Sequence, residues 1–161
     1  MTTNENNIQS RRMGGLLILI AIGVFYTPLK LAYHIIKEYP PIFTDGIWAA
    51  ISSKESVDYS VIFQYLIIGE IIGNIIIIIL SLYLIFLFVY KKSFFPIWYV
   101  AVALTSCLFV VLDSYVYSLA VPASSIFSYD IIRELGHSLI ALLLFSPYLF
   151  ISKRSRETFV F

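Results

Sequence analysis

Residues 69–92 read GEIIGNIIIIILSLYLIFLFVYKK. From Ile75 to Tyr90 the stretch carries no charge, and Lys91 and Lys92 close it. In water, the run Ile75–Ile79 would favour a strand, because β-branched side chains suit a pleated surface. In hydrocarbon a lone strand leaves its backbone groups unpaired, so a helix is the one conformation open to it. About 20 residues cross a bilayer core, so counting back from Lys91 puts the far boundary near Glu70–Ile71. A carboxylate, Glu70, thus stands at that boundary, with Asn74 one turn inside it.

The whole chain has the same character. It has 161 residues, 60% of them hydrophobic and 13% charged. Soluble domains run at about 45–50% apolar and about 25% charged. Three further runs match the length of a membrane helix. The expected spans are 13–36, 61–90, 94–120 and 131–152, joined by short turns and one longer loop, 37–60. The expected fold is an all-α integral membrane four-helix bundle. Residues 1–12 form a polar tail expected to be disordered, and 153–161 form a basic tail. Pro40 and Pro41 are expected to end the first helix. TDGIWAAISS, with Thr44 and Asp45 as start residues, suggests a short helix lying in the interface.

Lysine and arginine set the orientation. Arg11, Arg12, Lys91, Lys92, Lys153, Arg154 and Arg156 fall on one side of the four spans. The other side holds Lys37 and Lys54 against Glu38, Asp45, Glu55, Asp58 and Asp130. The positive-inside rule therefore places both termini in the cytoplasm. The first span is too long for a signal-peptide core and lacks a cleavage motif, so it reads as a retained helix.

The ionisable residues within the spans form a layer. Lys30 lies roughly 24 Å up the first span and Asp113 roughly 25 Å up the third. His34, Glu70, Arg133, Glu134 and His137 come out at a similar height. Glu70, Asn74 and Ser81 share one helix face, with Gly73 beside them. Thr27, Lys30 and His34 share another. Such stripes turn inward, because a charge facing acyl chains at mid-membrane costs about 2.5–3.5 kcal/mol on insertion scales. The candidate polar cluster is Lys30, His34, Glu70, Asn74, Asp113, Arg133 and His137. Arg133 is expected at its centre, since a guanidinium fork can serve two carboxylates. The cluster reads either as a chamber for a solute, proton or partner, or as a self-neutralised structural network. Gly69 and Gly73 form a G-x-x-x-G that allows close helix approach.

Other chemistry is not indicated. A net charge of +1 provides no field for nucleic acid. A single cysteine, Cys107, rules out an internal disulfide or a C-x-x-C pair. No nucleotide-binding, hydrolase or metalloprotease motif appears. No cofactor, metal or catalytic residue is expected.

GGLLIL at the start of span one, GEIIGN at the start of span two, FP opening span three and a closing PYLFISKRSRETFV carry a resemblance. Together they resemble an uncharacterised family of small bacterial inner-membrane proteins, domain of unknown function 2569, over about Gly14 to Val160. The resemblance implies four spans and a bacterial plasma membrane, and no activity. The expected role is that of a non-enzymatic accessory or regulatory subunit that contacts the bilayer and another membrane protein or a second copy. SKRSRETFVF is expected to serve as an unpaired docking tail. The alternatives are a small-solute or ion transporter, and an enzyme acting on lipid or quinone.

Overall fold

The computed structural model describes residues 15–121 and 129–160, apart from the side chain of Asp130. Arg11, Arg12, the polar N-terminal tail and the first residues of span one lie outside the described residues. Within them the chain is all-helical. Helix α1 runs over Leu16–Thr44, α2 over Ile47–Ser52, α3 over Val61–Val89 and α4 over Phe95–Ala120. The fourth span is α5, Tyr129–Ile140, followed by a π-helical turn, Ala141–Phe145, and α6, Ser146–Ile151. A last helix, α7, covers Lys153–Thr158. Four helices are long and apolar enough to cross a membrane: α1, α3, α4 and Ile131–Ile151.

Helix α1 does not stop at Pro40. It continues through Pro40 and Pro41 to Thr44, 29 residues in all, or about 44 Å. The expected stop fails for a physical reason. Proline's own φ is helical, and its cost lies in the carbonyls it orphans. Here those belong to Ile36 and Lys37, both exposed residues where outside groups can reach them. The turn is also held from the side, because Tyr39 is buried and accepts a hydrogen bond from Asn74 Nδ2 at 2.8 Å. The short helix after it is present, but its N-cap is Gly46, in the left-handed region at φ 81°, and not Thr44 or Asp45. Gln64 Nε2 donates to the Ile51 carbonyl at 2.8 Å and ties α2 to the start of α3. The N-cap of α3 is Ser60, whose hydroxyl accepts from the Phe63 amide at 3.3 Å.

Two apolar clusters hold the bundle. One, at the end carrying Lys91 and Lys153, joins Leu17 and Ile20 of α1, Leu87 and Phe88 of α3, Phe95 and Tyr99 of α4, and Leu149 of α6. The other, at the opposite end, joins Ile51 to Leu66 and Ile67, with Trp48 and Val116 packed on it. Between them α3 forms the spine and packs against both α1 and α4, while the fourth span packs on α4. The Phe109 ring lies against Gly73, where a side chain would displace it. Gly69 is exposed, with no atom in position to touch an added Cβ. The G-x-x-x-G therefore brings no two backbones together within the chain; it is a single seat for an aromatic ring.

The C-terminal segment is not an unpaired tail. Ser155, Thr158 and Phe159 are buried, and the Phe159 ring stacks on Phe95 at 4.5 Å, near Phe88 at 5.8 Å. KRSRETF is amphipathic at helical spacing, so Ser155, Thr158 and Phe159 turn inward while Lys153, Arg154 and Arg156 stay outside. Fastened in this way, the segment closes one end of the bundle.

A polar cleft as the candidate functional site

The layer expected from span counting is assembled, with a changed membership. Lys30 Nζ of α1 meets Glu134 Oε1 of α5 at 2.7 Å. His34 Nε2, one turn further along α1, lies 3.6 Å from Glu70 Oε1 of α3. Glu70 also stands beside the Tyr39 hydroxyl, which binds Asn74. Asp113 of α4, half-buried, completes the ring close to Glu70 and Glu134. All four spans thus contribute a polar side chain to one place.

Arg133 and His137 are not part of it. Both are exposed, and among the described residues no carboxylate lies within ion-pair distance of Arg133. The expectation of Arg133 as central donor was one residue out of register. One helical step is 100°, so with Glu134 turned to α1, Arg133 points away. The inward stripe of the fourth span is Glu134, Ser138, Ala141 and Phe145, at i, i+4, i+7 and i+11. It repeats the Gly23, Thr27, Lys30, His34 spacing of α1, which was the signal that could have identified Glu134 as the lining residue. The π-helical turn follows directly. Ser146 sends both its amide and its hydroxyl to the Ala141 carbonyl, the latter at 2.9 Å, just before Pro147. Inserting one extra residue per turn here lets the two halves of the span keep different inward faces.

The charge balance of the cleft is acidic. Glu70, Asp113 and Glu134 face Lys30 and the imidazole of His34, so carboxylates outnumber the lysine three to one. The groups are not sealed. Side-chain exposure is 38% for Lys30, 46% for Glu134, 43% for His34 and 26% for Glu70. Charges that open carry a penalty of about 2.5–3.5 kcal/mol each where they face acyl chains at mid-membrane, and less towards the boundary. Among the described residues no three His, Cys, Asp or Glu side chains converge as metal ligands would.

These features define a class: a multi-pass helical membrane protein with an ionic cleft set in one half of its spans. The chain belongs to the family described as Protein of unknown function (DUF2569), whose sequence model matches residues 10–160. No curated protein and no solved structure matches it.

Proposed function

We propose that the protein is a non-enzymatic accessory subunit that works against another membrane protein, with the ionic cleft as the contact. The carrying observation is the half-open ionic layer Lys30–Glu134 and His34–Glu70, which lies within the spans and is not closed by the helices among the described residues. The thin packing of the fourth span supports the same reading: 11% of its apolar window is buried, against 33% for α3. The folded C-terminal segment, no longer a free docking tail, moves the contact from that end to the cleft. The concentration of Lys91, Lys92, Lys153, Arg154 and Arg156 at the other end supports a cytoplasmic placement of both termini in a bacterial plasma membrane.

Purification in mild detergent through an N-terminal tag tests this. The expected result is a stoichiometric membrane partner that dissociates when Lys30 and Glu134 are both replaced by leucine. A monomer or homo-oligomer with no partner would overturn it. The second reading, a vestibule for a small cation, rests on the excess of carboxylates around Asp113. It predicts a flux that Asp113→Asn abolishes in the partner-free protein.

A further inference from the structure

The opposite end of the bundle carries a second feature, independent of the cleft. A groove of about 340 Å³ opens between the first turn of α4 and the junction of α6 with α7. Its walls are of two kinds. Ile97 and Phe150, both exposed on the lipid-facing surface of the spans, make an apolar side together with Phe159. Ser93 and Arg156 make a polar end.

The polar end is arranged for an anion. Arg156 Nε donates to the Phe150 carbonyl at 3.0 Å, which fixes the guanidinium over the groove and leaves its Nη groups available. Among the described residues its charge has no carboxylate within ion-pair distance; the nearby Glu157 is paired with Lys153 instead. Ser155 is fully buried behind the groove wall, which leaves Ser93, exposed at the groove, as the hydroxyl an anion can reach. The first turn of α4 adds the positive end of a 26-residue helix.

Position selects the kind of anion. The groove sits where α4 begins and α6 ends, which is headgroup depth for a chain whose spans cross the bilayer. An apolar wall leading into the acyl region, capped by an arginine and a hydroxyl, matches an amphiphile and not a free ion. Basic pockets between spans at this depth are a recognised way of holding anionic headgroups. We propose that this groove holds one anionic phospholipid, its phosphate on Arg156 and Ser93 and one acyl chain along Ile97 and Phe150.

The test is native mass spectrometry of the detergent-purified full chain after incubation with mixed micelles of phosphatidylglycerol and phosphatidylcholine. The expected result is one phosphatidylglycerol retained in preference to phosphatidylcholine. Loss of the charge-assisted bonds in Arg156→Ala should lower its occupancy about tenfold. Ile97→Trp keeps every charge but fills the apolar wall, and should reduce retention comparably. Arg156→Lys should retain partial binding, which separates loss of the site from loss of folding if the alanine variant is unstable. Arg154→Ala, which removes an exposed charge of the same sign that pairs with no carboxylate among the described residues, should leave retention unchanged. Equal retention of the two lipids, no effect of either groove variant, or an equal loss in Arg154→Ala would overturn the proposal. Displacement of the lipid by inorganic phosphate would also overturn it, by showing a site for a soluble anion.

Discussion

Replacing Phe159 with alanine is expected to destabilise the bundle by about 3–5 kcal/mol, the range for truncating a buried aromatic side chain. The ring is buried, stacks on Phe95 at 4.5 Å and touches the same cluster as Phe88. That cluster gathers α1, α3, α4 and α6, so the cavity would open where the four spans meet. The structure predicts two linked readouts: a lower melting temperature in detergent, and protease cleavage after Lys153 or Arg154 in the variant but not in the parent protein. Phe159→Leu fills most of the space and should cost well under half as much. If Phe159→Ala melts with the parent and its C-terminal segment stays protected, that segment is not part of the core.

The second large effect belongs to the cleft. Lys30→Glu removes the one lysine from a ring that already holds Glu70, Asp113 and Glu134, and adds a fourth carboxylate. An exposed ion pair in water contributes about 0–1 kcal/mol, so on that scale the change would be slight. The cleft differs from an open surface in how densely it is charged: Lys30→Glu would set a fourth carboxylate beside Glu70, Asp113 and Glu134 with no lysine to offset them, so the cost exceeds that of one lost surface pair. Folded yield in the membrane fraction should fall sharply in Lys30→Glu and recover in the double variant with Glu134→Lys, which restores the pair in reverse. Arg133→Glu, one residue away and outside the cleft, should have little effect. A double variant no better than the single one would show that Lys30 and Glu134 do not hold α1 to the fourth span.

What could be read in the sequence follows the size of the physical forces involved. Hydrocarbon permits one conformation to Ile75–Tyr90, so the four spans could be read without knowledge of packing. The height of the polar layer followed too, since rise per residue is fixed and Lys30, Glu70, Asp113 and Glu134 need only be counted from the basic ends. Azimuth was harder. Arg133 and Glu134 are adjacent, both charged and at one depth, and which of them turns inward depends on a partner, Lys30, on another helix. The same holds for Pro40 and Pro41. Local rules end the helix there, yet the Tyr39–Asn74 contact, 35 residues apart in sequence, carries it on. In the C-terminal segment, charge drew attention to Lys153, Arg154 and Arg156, whereas the burial lies in the three residues between and after them, Ser155, Thr158 and Phe159.

The most direct test of the account is whether the cleft is open to water on the face opposite the basic end. Single cysteines would be placed at His34, Leu29 and Lys153 in a Cys107→Ser background and exposed in intact cells to a membrane-impermeant maleimide. His34 lines the cleft, Leu29 lies on the exposed apolar face of the same helix, and Lys153 marks the basic end. In cells that overproduce the chain well beyond any partner of the cleft, the account predicts labelling of His34→Cys without permeabilisation, of Lys153→Cys only after it, and of Leu29→Cys in neither case. Labelling of Lys153→Cys in intact cells with His34→Cys protected would contradict both the orientation and the open cleft.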